Sequence, residues 1–134
     1  MNDLYNMIPM NPPISTVELT GEEIVAMLEE NLERTFACDP YDQMGGYVKR
    51  GLGLNAYIKI ENPPGQRVQQ VFAGDEPLQS GCHYPTAFVT EQGVAQKYGR
   101  NRQPHTERSI DALRAYLVGH RPLHSDLRGT FVAV

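Results

Sequence analysis

From Ser15 to Leu19 the side chains alternate, with Val17 and Leu19 apolar on one side and Thr16 and Glu18 polar on the other. A two-residue period is that of a strand. At Thr20 the period lengthens: Ile24, Val25, Leu28, Leu32 and Phe36 recur at helical spacing and would bury one face against a sheet. The change is marked by Thr20-Gly21-Glu22-Glu23, a capping box in which the Thr20 hydroxyl and the Glu23 carboxylate satisfy each other's backbone N–H groups. Glu22 and Glu23 also suit the positive end of the helix dipole. Glu29, Glu30 and Glu33 are expected to face water as a solvated helix surface, with Glu30 placed four residues before Arg34 for an ion pair.

A second alternation, Leu54, Ala56, Ile58 and Ile60 against Asn55, Tyr57 and Lys59, predicts another strand. Asn62-Pro63-Pro64-Gly65 follows as a turn, because proline fixes φ and glycine accepts φ > 0. Arg67 to Ala73 should therefore return antiparallel as a hairpin. Gly74-Asp75 turns again, and Tyr84 to Thr90 gives a further strand. Gly93 to Thr106 shows no period and is expected to be irregular. Ile110, Leu113 and Leu117 mark a second amphipathic helix, stopped by Gly119 and Pro122, and Thr130 to Val134 closes the chain as a strand. Residues 1–14 hold Pro9, Pro12 and Pro13 and are expected to form an extended lead-in. The order β-α-β-β-β-α-β predicts one α+β domain: a mixed β-sheet carrying two main amphipathic helices.

Composition narrows the function classes. The chain has 134 residues, 40% hydrophobic and 21% charged, with a net charge of -4. That is one ordinary globular core, and an acidic balance argues against a general nucleic-acid partner, whose affinity would rest on a basic surface. No apolar run approaches the roughly 20 residues of a membrane span. Cys38 and Cys82 lie far apart and form no C-x-x-C pair; two unpaired thiols and a disulfide both fit.

Phosphate-loop, nucleophile-elbow, dinucleotide and H-E-x-x-H motifs are all absent. His120 and His124 are four apart, but Pro122 between them disfavours a helical metal pair. His83 and His105 stand alone, and the chain shows no catalytic residues and no metal site of its own. One feature stands out. Five of the twelve basic residues, Lys49, Arg50, Lys97, Arg100 and Arg102, concentrate in two expected loops. Converging, they would make an anion-binding surface, since arginine grips phosphate or carboxylate through paired N–H donors; apart, they are solvated polar loops. Gly45 and Gly46 would allow close backbone approach to a ligand or merely form a turn, and Tyr47 would stack on a planar ligand or anchor the loop.

Taken in order, MIPMNPPISTVELTGEEI, an acidic amphipathic helix, GGYVKRGLGL, NPPGQRV and a strand opening HYPTAFVT resemble the C-terminal domain of the 5′-nucleotidase family of two-domain metallophosphoesterases. The match carries the helix entry VELTGEEI, the Pro-Gly-x-Arg-Val hairpin and the Tyr-x-x-Ala strand from Tyr84, over roughly residues 4–98. The resemblance implies a division of labour. An N-terminal metallophosphoesterase domain, the expected partner in the same parent chain, would hold two divalent metals through Asp-x-His and Asn-His-Glu/Asp motifs that this chain lacks. This domain would supply substrate-binding residues. The Gly-Gly-x-Arg segment that opens the family's substrate domain is also missing, so the chain reads as truncated at its N-terminal side. The resemblance further implies a periplasmic or extracytoplasmic setting.

The residues departing from the family pattern lie at the base clamp. Family members hold a nucleobase with one Phe before the hairpin and another after the Tyr-x-x-Ala strand; here Tyr47 or Val48 stands at the first position and Glu91, followed by Gln92, near the second. Thr20 stands where some members have an arginine, and the Gly-Gly-Asp-Gly-Tyr segment is replaced around QKYGRN. GGYVKRGLGL is closer to the SoxB-type branch, whose Val-Arg-x-Gly-Gly pattern aligns with Arg50 and whose substrate is a sulfonated thiol on a carrier protein. The expected substrate-binding set is therefore Gly45, Gly46, Tyr47, Arg50, Glu91, Gln92 and Arg100, facing an anionic small molecule or a sulfonated thiol. A non-catalytic protein or metabolite interaction module is the reading from a different class.

Overall fold

The computed structural model of the chain describes residues 2–45, 47–89, 93–120, 122 and 130–134. They form an α+β structure that divides into two compact units, Met1–Leu19 with Pro85–Leu127, and Thr20–Tyr84 with Arg128–Val134. No described helix is long and apolar enough to cross a membrane.

The first unit is built on a three-stranded sheet in the order β5-β1-β6, with β1 at Pro13–Thr20, β5 at His83–Phe88 and β6 at Arg100–Arg108. β1 and β6 run antiparallel, pairing Thr16 with Gln103 and Glu18 with Arg100. Two residues of β6 oppose one of β1 between those pairs, and Asn101 takes φ 54° there, a bulge. The expectation of an irregular Gly93–Thr106 segment is corrected over this strand. Eight of the nine side chains of β6 are exposed, so no buried face imposes an alternation that the sequence could reveal. Its pairing with β1 makes it a strand, and Pro104 is tolerated because β6 is an edge. The core of the unit is Val17, Leu19, Val94 and Ile110.

A second correction concerns the extended lead-in. Residues Asn2–Met7 form a short helix, α1, ending before Pro9. The segment after it serves another element, α3 at Ser109–Gly119, the expected second amphipathic helix. The residue before α3, Arg108, offers no side-chain cap. Asn11 caps it instead, its Oδ1 accepting from the Ile110 N–H at 3.0 Å, while the Pro12 carbonyl accepts from the Ser109 N–H at 3.0 Å and hydroxyl at 2.7 Å.

In the second unit α2, Gly21–Phe36, forms as its period predicts, burying Ile24, Leu28 and Leu32. The capping box closes in both directions: Glu23 N–H to Thr20 Oγ1 at 3.2 Å and Thr20 N–H to Glu23 Oε2 at 2.8 Å. Two more first-turn donors, the N–H groups of Gly21 and Glu22, reach the carbonyls of Cys82 and Ser80 at 3.2 and 3.3 Å. This contact explains the glycine. A Cβ on Gly21 would overlap the Gln79 carbonyl oxygen and lie 2.8 Å from its carbon.

Beside α2 lies a mixed sheet in the order β4-β3-β2-β7. β2 (Leu54–Ile58) and β3 (Val68–Ala73) form the predicted antiparallel hairpin, β4 is Glu76–Pro77, and β7 (Phe131–Ala133) adds parallel to β2. Ala56, Ile58 and Val71 face the core.

The hairpin is tied to α2 by Arg67, only 6% exposed. Its Nη1 donates to the Leu32 carbonyl at 2.9 Å, its Nε to the Asn62 carbonyl at 3.2 Å, and Nη1 lies 3.2 Å from Glu33 Oε2. Glu29 completes the tie, accepting from the N–H groups of Arg67 at 3.1 Å and Val68 at 2.7 Å. The acidic helix surface is thus only partly solvated. Glu30 pairs with Arg34 at 2.7 Å as expected, but Glu29 and Glu33 are engaged by the hairpin, a long-range pairing that helix periodicity does not encode.

Candidate functional site

The stretch leaving α2 is held at first by local contacts of its own backbone and side chains. Ala37 is buried in an extended conformation and ends the helix. Met44 N–H donates to the Arg34 carbonyl at 3.1 Å and the Gln43 side-chain amide to the Ala37 carbonyl at 2.9 Å. Between them Asp39 makes an Asx turn, its Oδ1 accepting from Tyr41 N–H at 2.9 Å.

Tyr47 to Arg50 is held differently, by side chains of α2. Asn31 Oδ1 accepts from the Lys49 N–H at 2.7 Å and its Nδ2 donates to the Tyr47 carbonyl at 3.4 Å. One turn later the Thr35 hydroxyl donates to the same carbonyl at 3.3 Å. Sequence reading leaves Asn31 and Thr35 unassigned. Their one signal is their position, four apart on the polar side of the helix. The Tyr47 side chain is 63% exposed, and Arg50 is exposed without a hydrogen-bonding or ionic partner among the described residues. A Cβ on Gly45 would meet open space, so no described part of the chain demands glycine there.

Lys49 is half-buried. Desolvation lowers its pKa from 10.5, opposed by the nearby Glu30 carboxylate and reinforced by the Arg34 guanidinium.

The other basic residues have different roles. Arg102 does not present its donors outward: Nη1 and Nη2 reach the carbonyls of Val94 at 3.2 Å, Ala95 at 2.9 Å and Tyr98 at 3.2 Å, and its guanidinium lies 4.8 Å from the Phe88 ring centroid. It braces the turn before β6. Lys97 sits 5.0 Å over the Tyr98 ring. Arg100 is a strand residue whose Nε pairs with Glu18 Oε2 at 3.2 Å; Asn101 donates to the same oxygen at 3.0 Å. Tyr47, Lys49 and Arg50 belong to the Thr20–Tyr84 unit and Arg100 to the other. Gly46, Glu91 and Gln92 of the expected set, and His124, lie outside the described residues. Cys38 and Cys82 are exposed free thiols.

Two shallow clefts in the Thr20–Tyr84 unit are lined by Val25, Val68, Leu78 and Ser80, and by Tyr57, Phe72, Asp75 and Val132. Neither includes Tyr47 or Arg50. The loop therefore offers a stacking ring and a cation from an open surface, and enclosure of a ligand would need a facing surface. Among the described residues no group of three or more His, Cys, Asp or Glu side chains is placed to hold a metal ion.

The family described as 5′-nucleotidase, C-terminal domain, matches residues 1–90. The sulfate thiohydrolase SoxB of Thermus thermophilus is 27% identical over 93% of this chain and 23% of its own, with a TM-score of 0.76. A 5′-nucleotidase precursor of Thermus thermophilus is 21% identical over 98% of this chain and 27% of its own (TM-score 0.73). The NAD nucleotidase of Haemophilus influenzae is 16% identical over 99% and 26% (TM-score 0.75). These last two speak for the fold alone. No curated protein matches. The chain spans about a quarter of the length of these structures. With two thirds of its residues inside the family match and the α+β fold of the solved neighbours, the chain belongs to the 5′-nucleotidase C-terminal domain family.

Proposed function

We propose that this chain is the substrate-recognition domain of a two-metal hydrolase of the 5′-nucleotidase and phosphoesterase type, and is not catalytic alone. The observation that carries the reading is the family match over residues 1–90 in a chain spanning about a quarter of hydrolases that share its fold. In this reading an N-terminal metallophosphoesterase domain of the same parent chain holds two divalent metals, which activate water and stabilise charge on the transferred group. The chain's own residues bind and orient. Tyr47 supplies a ring face, and Arg50 a planar fork of donors for an anionic oxygen. Gly45 and Gly46 leave room for close approach, and Glu91, Gln92 and Arg100 complete the candidate set. The family resemblance implies an extracytoplasmic setting, and this reading adopts it.

A specific observation favours a second substrate class. The sulfate thiohydrolase is 27% identical over 93% of the chain, and Gly45 to Leu54 resembles that branch at Arg50. The full-length protein, loaded with Mn²⁺ or Zn²⁺, should be screened against nucleoside monophosphates and S-sulfonated thiols. Arg50→Ala is expected to raise KM for the accepted substrate. An unchanged KM removes Arg50 from the site, and robust metal-dependent turnover by the 134-residue chain alone overturns the division of labour.

A further inference from the structure

Both hydrogen bonds described for the Asn31 side chain point at one stretch of backbone. Its amide accepts from the N–H of Lys49 at 2.7 Å and donates to the carbonyl of Tyr47 at 3.4 Å. In an extended chain those two groups flank residue 48 on the same edge, so the amide meets them as a neighbouring strand would. Thr35, at the next turn of α2, donates to the Tyr47 carbonyl at 3.3 Å. Asn31 sits one residue before Leu32, which is fully buried and whose carbonyl is gripped by Arg67. The clamp thus stands on a firmly anchored part of the helix, while the Tyr47 and Arg50 side chains it carries are exposed. An exposed loop without such ties loses conformational freedom when a ligand orders it, and prior fixation lowers that cost.

We propose that Asn31, with Thr35, is a positioning residue for substrate binding: it pre-orders the Tyr47–Arg50 loop without touching substrate itself. The inference rests on the substrate-domain reading above. If it holds, removing the clamp weakens binding uniformly and leaves the chemical step alone, which is a rise in KM at constant kcat.

The experiment uses the full-length protein and its best substrate from the screen above. Asn31→Ala is expected to raise KM about tenfold with kcat unchanged. Because Asn31 acts through the loop, Asn31→Ala and Tyr47→Ala combined should raise KM by clearly less than the product of their separate effects. Asn31→Asp keeps the acceptor for the Lys49 N–H and should recover most of the loss. Hydrogen exchange at the Lys49 amide reports the clamp directly: protection falls in Asn31→Ala and returns in Asn31→Asp, with the Leu28 amide unchanged as a check on the helix. A constant exchange rate at Lys49 overturns the clamp. A constant KM in Asn31→Ala while Arg50→Ala still raises it overturns the positioning role alone. If Asn31→Ala, Tyr47→Ala and Arg50→Ala all leave KM unchanged, the loop is not part of the substrate site and both proposals fall.

Discussion

Replacing Arg67 by alanine tests whether the tie between α2 and the β2–β3 hairpin is a main determinant of stability. Three losses are involved. The Leu32 carbonyl belongs to a fully buried residue and would lose its 2.9 Å donor, at a cost of roughly 1–3 kcal/mol for an unsatisfied buried group. The Asn62 carbonyl, on a half-exposed turn, can turn to water and costs little. The Glu33 side chain is 38% exposed, which holds the ion pair to a few tenths of a kcal/mol, although the Oε2 that faces Arg67 is itself buried. Truncation also removes two packed methylenes, worth about 0.8 kcal/mol each. The total comes to about 4 kcal/mol. At this chain length that corresponds to a fall in Tm of about 15 °C. Urea unfolding followed by far-UV circular dichroism measures it, with the same m-value required of both proteins. Arg67→Met keeps the stem and loses only the donors, so it should recover about 1 kcal/mol of the deficit. A loss below about 1 kcal/mol for Arg67→Ala, or an Arg67→Met variant as stable as the unsubstituted protein, would show that the buried guanidinium's hydrogen bonds do not determine stability.

Gly21→Ala reverses the usual benefit of alanine in a helix. The added Cβ meets the Gln79 backbone, so thermal unfolding should show destabilisation where helix propensity alone predicts a gain of about 1 kcal/mol. Thr20→Ala opens the capping box and should cost about 1 kcal/mol in the same assay; a neutral result would mean that water replaces the 3.2 Å bond to Glu23 N–H without loss. Lys49 binds its proton less tightly in the folded than in the unfolded chain, so the unfolded state holds more protons between its lowered folded pKa and 10.5. Stability contributed at this site therefore rises with pH across that window. A ¹³C titration of the Lys49 side chain should show a midpoint below 10.5, and a midpoint at or above it would contradict the burial described.

The fold was legible wherever one face of an element is buried. Val17 and Leu19, the α2 stripe and Ala56 with Ile58 all carry their period in the sequence because burial selects alternate or fourth residues. It was illegible where geometry comes from pairing or from a distant partner. β6 has both faces polar, α1 is too short to show a period, and α3 is capped by Asn11, 99 residues before Ile110. The same limit applied to charge. Glu29 looks like any solvated helix carboxylate until the N–H groups of Arg67 and Val68 arrive from the hairpin.

That distinction also sorts the basic residues, which composition could only count. Arg67 and Arg102 have their donors turned to backbone carbonyls and brace a hairpin and a turn. Arg34 and Arg100 stand beside carboxylates at 2.7 and 3.2 Å. A guanidinium already satisfied inside the protein must break those bonds before it can bind an anion, and a buried one cannot reach a ligand at all. Arg50 carries neither burden among the described residues, and it follows directly on the backbone that Asn31 fixes. Of these five arginines Arg50 is the one left ready for an anion, so the substrate hypothesis rests first on the short stretch that carries it, Tyr47 to Arg50.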